Sequence, residues 1–246
     1  MKKLITFISF LFFVGLTMAQ HQNVQLPYSG SSYAPEEPAI YVNPYNTDKL
    51  VAGANINNVY ISNDGGFTWD ANVLVSNQNG VWGDPVTIVD TAENYLFFHL
   101  AYPPAGNWID RIVCQKSTDG GVTWNDGSYM GLNGNKAQDK QWAVIDRTNN
   151  TIYVTWTQFD DYGSSSSNDK SIILFSKSTD EGETWSPALK INEVELGIVS
   201  IVTIRLKELF LPLARTGKFM LPGPARKVVF DRSLDGGDTW LEEDIL

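Results

Sequence analysis

Cysteine is almost missing from this chain. The single residue, Cys114 in 246, can form no internal disulfide, so stability has to come from a core. Histidine is as scarce: His21 and His99 lie too far apart for a zinc-ligand motif. There are six arginines, none before Arg111, which leaves little to clamp a carboxylate or phosphate in bidentate fashion. Beyond the N-terminus no apolar run approaches the ~20 residues that a membrane helix needs. Phosphate loops, nucleophile elbows and dinucleotide fingerprints are absent as well. Positive charge is short, with 18 Lys and Arg against 28 Asp and Glu and a formal net charge of −10. Such a chain repels phosphate backbones and anionic membranes. Nucleic acid is therefore not expected as a partner, and an anionic sugar would need arginines gathered at its site.

What is present begins with a leader. Lys2 and Lys3 precede an apolar run over 4–16, followed by Thr17, Met18 and Ala19 before Gln20. This reads as a signal peptide over 1–19. The mature chain, 20–246, is expected to be secreted to the periplasm or the exterior without inserting in a membrane. No cysteine follows the cleavage point to take a lipid.

One eight-residue pattern, Ser-x-Asp-x-Gly-x-Thr-Trp, occurs four times, over 62–69, 117–124, 178–185 and 233–240. Its aspartates Asp64, Asp119, Asp180 and Asp235 are 55, 61 and 55 residues apart, a period of propeller blades rather than of helical solenoids. The chemistry is that of a hairpin turn. Asp accepts from backbone N–H groups of its own turn, Gly supplies positive φ, and Thr is expected to begin the next strand. The tryptophans Trp69, Trp124, Trp185 and Trp240 then offer apolar plates to pack between sheets. A group needed once per repeat is structural, and no catalysis is assigned to these residues.

Strand signals recur around each pattern. Strands are expected over 38–42, 49–54, 58–62 and 72–75, then over 85–89, 95–102, 111–116 and near Tyr129, then over 142–145, 151–158, 171–177 and 188–191. Each set is a four-strand antiparallel meander bounded by Gly, Asn, Pro and Asp. The modules cover about 33–78, 79–132, 133–192 and 193–246. An all-β propeller of four-stranded blades follows, since radial repetition hides sheet edges.

The octapeptide resembles the Asp box of BNR-repeat proteins, the sialidase (neuraminidase) superfamily, and the resemblance spans nearly all of the mature chain. It implies about four blades here, with a parent of six. It further implies glycoside hydrolysis with three arginines, a tyrosine nucleophile paired with a glutamate, and an aspartic acid as proton donor. The Arg-Ile-Pro motif that should precede the first inner strand is replaced by Pro35, Glu36, Glu37 and Pro38.

The fourth module reads differently. Over 195–226 alternation and turn residues vanish, while Arg205, Lys207, Arg215, Lys218 and Arg226 cluster. One reading is a divergent insertion. The other is translation out of frame, because permitted codons over 214–227, read in a shifted frame, can yield a strand-like peptide parallel to 149–156. With the last blade incomplete, the chain is expected to be a fragment.

Chemistry in a propeller sits where the innermost strands begin. Those starts carry Glu37, Asp84, and the pair Asp139 and Lys140, an expected acidic ring. Its carboxylates would serve as acid and base on a glycosidic bond, take a cation such as calcium, or simply be solvated strand ends. No other cofactor is expected. Arg111 and Lys140 are candidate substrate contacts, and Tyr33, Trp82, Trp108, Trp142 and Trp156 are candidate sugar platforms or core. His99 in an apolar strand is expected to be packed rather than catalytic, and Asp160, Asp161 and the serines over 164–167 form a solvated loop. The function expected is a secreted propeller that binds or hydrolyses extracellular carbohydrate or glycoprotein. The alternatives are a noncatalytic binding propeller and a nonfunctional product of a disrupted gene.

Overall fold

The structure, a computed structural model, describes residues 23–192 and 233–242. The leader and the anomalous 195–226 segment lie outside the described residues. Among the described residues, twelve strands form three separate antiparallel sheets, each in sequential meander order. The first holds β1 (Glu36–Val42), β2 (Leu50–Asn55), β3 (Asn58–Ser62) and β4 (Asp70–Val73). The second holds β5 (Val86–Val89), β6 (Tyr95–Leu100), β7 (Ile112–Ser117) and β8 (Ser128–Met130). The third holds β9 (Ala137–Asp146), β10 (Thr151–Phe159), β11 (Ser171–Ser178) and β12 (Leu189–Lys190). Their first strands touch in succession, β1 on β5 and β5 on β9. The sheets thus stack as the blades of a β-propeller, with β1, β5 and β9 innermost.

Burial explains the sequence patterns. The middle strands are covered on both faces, so β6 and β10 are buried at every position and read as continuous apolar runs instead of alternating ones. The outermost strands β4 and β12 keep exposed residues. Between the first two sheets Val51, Val59 and Ile61 meet Val89, Tyr95 and Phe97, with Trp124 against them. Between the next two, Leu96 and Phe98 meet Ile145, Ile152 and Val154, with Trp185 alongside. Trp240, from the described turn of the fourth module, packs on Tyr153, Ile173 and Phe175 of the third sheet. Trp69 has no preceding sheet among the described residues and lies on Ala52, Ala54 and Tyr60 of its own.

The four octapeptide turns are bonded alike. In each, Ser Oγ donates to Asp Oδ1 at 2.7–2.9 Å. The glycine at the fifth position donates its N–H to Ser Oγ at 2.7–2.9 Å. Thr N–H donates to Asp Oδ1 at 2.8–2.9 Å and Thr Oγ1 donates to Asp Oδ2 at 2.5–2.6 Å. One carboxylate thereby closes the turn. Because Thr is tied back into it, the strand does not begin there as expected: β4 starts at Asp70 and β8 at Ser128.

These bonds hold the carboxylates ionised. The hydroxyl and N–H of Thr123, with the hydroxyl of Ser117, bring Asp119 down to about 2, and the corresponding groups lower Asp64 and Asp235. A depressed folded-state value contributes stability that is present above about pH 4 and lost as pH falls toward about 2. Urea unfolding midpoints should therefore fall steeply over that window, and less steeply in Asp119→Asn, which starts lower. Sheet contact can be tested separately at Gly53 in β2, where an added Cβ would lie 2.5 Å from Phe97 Cε2 and 2.8 Å from Pro85 Cβ. Gly53→Ala should cost about 1–3 kcal/mol in the same assay.

Candidate functional site

Register sets the two ends of each blade apart. Glu36 at the start of β1 pairs with Asn55 at the end of β2, whereas Val42, Leu50 and Ser62 align at the opposite end. The octapeptide turns thus lie at one end, and the starts of the innermost strands at the other.

At that second end all three innermost strands bulge in the same way. Residues 37 and 38 face one residue between the Glu36–Asn55 and Ala39–Gly53 pairs. Residues 140 and 141 do so between Asp139–Thr157 and Trp142–Thr155. In the second sheet residues 84 and 85 do so between the Gly83–Leu100 bond and the Val86–Phe98 pair. The first bulge residue is left-handed each time: Glu37 at φ 47, Asp84 at φ 51 and Lys140 at φ 54. Glycine adopts this conformation freely, while other residues pay ~1–3 kcal/mol. Three charged side chains occupy the position instead.

The bulges turn these side chains toward one another. Lys140 Nζ lies 2.7 Å from Asp84 Oδ2 and 3.7 Å from Glu37 Oε2. Asn55, at the end of β2, ties the first two sheets together. Its Nδ2 donates to Glu37 Oε2 at 2.8 Å, and its Oδ1 accepts the Asp84 N–H at 2.6 Å. Gln141 donates to the Asp84 carbonyl. Asp139 is buried, with Oδ2 accepting from the Tyr162 hydroxyl at 3.1 Å and Oδ1 from the Lys140 N–H at 2.8 Å.

Two carboxyls in contact here have opposite proton affinities. Burial pushes Asp84 up to about 6, helped by neighbouring Glu37 and Asp139 and opposed by Lys140. The hydrogen bond with Asp84, then that of Asn55 and the charge of Lys140, hold Glu37 below its ordinary value. Lys140 keeps its proton more firmly than usual: burial opposes its charge, and bonding to Asp84 with the charges of Asp84, Glu37 and Asp139 outweighs that. Just below pH 6 the cluster therefore keeps a proton on Asp84, flanked by an ionised Glu37 and a cation.

A wall of rings borders the cluster. Trp82, two residues before Asp84, stands edge-on to Tyr33, Tyr102 and Trp108 at centroid distances of 6.5, 5.0 and 6.5 Å. Trp108 in turn meets Tyr162 at 5.2 Å, and Tyr162 returns to Asp139. Sequence reasoning singled out Tyr33, Trp82 and Trp108 but missed Tyr102, Tyr162 and Asn55, whose roles arise from loops of different sheets meeting.

The remaining candidates sit elsewhere or take other roles. The expected acidic ring is mixed, because its third member is Lys140, and Asp139 and Lys140 lie inside β9 rather than at its start. Arg111 is drawn to Asp110, with Nε 2.7 Å from Oδ1, and covers the Tyr129 ring. Arg147, just past the far end of β9, donates to the Tyr41 hydroxyl. Trp156 is fully buried and donates to Gln138 Oε1 at 2.7 Å, so it is core. Trp142 is half-exposed and has no ring partner in the wall. His99 is fully buried between Leu100 O and Gln115 Oε1, and burial takes it down to about 4. Burial likewise raises Cys114, which removes it as a nucleophile. Asp160 pairs with Lys136. Among the described residues no group of three or more His, Cys, Asp and Glu is arranged to hold a metal ion.

Stacked four-stranded meanders whose inner strand starts converge on one ionised cluster define a β-propeller protein. No protein-family model and no curated protein matches the chain. Among solved structures it is similar to a Penicillium chrysogenum alpha-L-arabinanase complexed with arabinobiose, at 15% identity and TM-score 0.46, over 63% of this chain and 49% of that one. It is also similar to the Hadza microbial sialidase Hz136, at 17% identity and TM-score 0.36, over 58% and 33% of the two chains. A third is an ulvan lyase bound to -[GlcA(1-4)Rha3S]-, at 12% identity and TM-score 0.43, over 66% and 44%. The chain thus spans less than half the length of each of these proteins.

Because Asp84 is raised above its ordinary 3.8, its contribution to stability is fully present below about pH 4 and is lost as pH rises through about 6. Asp84→Asn should flatten that part of the stability profile, read as the thermal midpoint at half-unit pH steps from about 4 to 7.

Proposed function

We propose that this chain is a secreted Asp-box propeller of the sialidase-like kind that binds and cleaves extracellular glycans at the Glu37, Asp84 and Lys140 cluster. The observation that carries the reading is the convergence of these three side chains from three successive blades beside an aromatic wall. Asp84 delivers its proton to the glycosidic oxygen as the bond to the leaving sugar breaks. Asn55 and Lys140 hold Glu37 and Asp84 in register. Asp139, oriented by Tyr162, is the remaining carboxylate and assists the attacking water. Secretion is supported by the leader over 1–19, and membership of the Asp-box propellers by four turns bonded alike.

The sugar taken is neutral. Both arginines among the described residues are engaged, Arg111 with Asp110 and Arg147 with Tyr41, so neither is free to clamp a sugar carboxylate. A noncatalytic glycan-binding propeller is the second reading. One feature favours it: the Glu37 and Asp84 carboxyls are within hydrogen-bond reach of each other, closer than the ~5 Å of two carboxylates that flank a scissile bond.

Hydrolysis of a panel of neutral fluorogenic glycosides separates the two. Turnover should decline as pH rises through about 6, where Asp84 loses its proton, and Asp84→Asn should lower kcat by ~10²-fold or more. Unchanged turnover in Asp84→Asn removes this proton-transfer role, and binding without turnover leaves the noncatalytic reading.

A further inference from the structure

The geometry points to a second part of this site, a run of ring-stacking subsites formed by Tyr33, Trp82, Tyr102, Trp108 and Tyr162, which takes several consecutive rings of a neutral polysaccharide chain. The inference rests on the glycan reading of the adjoining cluster and names its substrate class: an extended chain rather than a single terminal sugar.

Three independent observations carry it. First, the rings are contributed by all three sheets. Tyr33 precedes β1, Trp82 precedes β5, Tyr102 and Trp108 lie in the β6–β7 loop, and Tyr162 lies in the β10–β11 loop. They form one connected group in which Trp82 touches Tyr33, Tyr102 and Trp108, and Trp108 touches Tyr162, with centroid separations of 5.0–6.5 Å. Second, the four rings other than Trp82, which is partly buried against the core, are open to solvent. Tyr33, Tyr102, Trp108 and Tyr162 are 45%, 52%, 41% and 44% exposed. Apolar rings brought together in the open are a recognition surface when polar groups converge beside them. Here those groups are Asp84, next to Gly83 and Trp82, and Asp139, bonded to Tyr162. Third, charge selects the occupant. Carboxylates border the wall, and the net charge of −10 opposes a sulfated or uronic chain. A neutral sugar presents C–H faces to the rings and hydroxyls to the carboxylates without a charge to desolvate. The perpendicular packing of Trp82 on its neighbours, at interplanar angles of 72–84°, braces the exposed rings so that little side-chain freedom is lost on binding.

Calorimetric titration of the full chain with neutral ladders from xylan, mannan and β-1,4-glucan, from monosaccharide to hexasaccharide, tests this. At least one ladder should bind with affinity that rises with length. Trp108→Ala and Tyr162→Ala should each weaken the longest member by about tenfold, and Trp142→Ala, exposed but outside the wall, should leave it unchanged. If Trp108→Ala unfolds the chain, Tyr33→Ala provides the same comparison at the rim. Failure to bind any neutral ladder, affinity independent of length, preference for heparin or polyuronate, or equal losses at Trp142 and Trp108 would each overturn the inference. Wild-type binding that rises with length without cleavage overturns the proton-transfer role of Asp84 and keeps the platform. Cleavage with KM unmoved in Trp108→Ala does the reverse.

Discussion

The last three octapeptide turns dock their glycine and tryptophan onto the preceding sheet, and the rest of the molecule depends on that contact. An added Cβ at Gly121 would meet Ile61, at Gly182 it would meet Leu96 and Cys114, and at Gly237 it would meet Phe175. In the last two junctions a lysine completes the contact: Lys116 reaches Glu181, and Lys177 reaches Asp238. The carboxylate that closes the turn therefore does more than shape a hairpin. It sets the angle at which one blade meets the next, and with it the spacing of β1, β5 and β9 at the far end.

That spacing brings the chemistry together. Bulges at the same register point Glu37, Asp84 and Lys140 at one another, at a conformational cost that glycine would avoid. Burial of Asp84 adds a second cost, since a carboxylate loses hydration there. A fold organised for stability alone would place glycine at the bulge and leave the strand ends in water. The gathering of left-handed bulge residues, partly buried charge and exposed rings around the starts of the innermost strands is the arrangement of a working surface carried by a rigid scaffold.

Much of the fold was legible because its signals are local. Ser, Asp, Gly, Thr and Trp act within eight residues, so spacing alone identified the turn, the meander and the period. The error at Thr68 and its counterparts, expected to open a strand, arose because its hydroxyl and N–H are both spent on the aspartate. The site was legible in position but not in composition. Aligning the inner strands singled out Glu37, Asp84, Asp139 and Lys140, yet no pattern in the sequence links Asn55 to Asp84 or Tyr162 to Asp139, since those bonds cross between sheets or loops. The same limit applies to tryptophan: Trp156 and Trp108 look alike as candidates, but the first is sealed in the core and the second is open.

The sequence by itself determined the repeat, the four-stranded blade, the scarcity of free cations and the absence of any disulfide, because each follows from residue type and short-range spacing. Tertiary structure alone decided which carboxyl holds a proton, that a lysine joins the acidic residues, and which aromatics line a surface. Proton affinity and exposure depend on what other sheets bring within a few ångströms, a distance that chain separation does not encode.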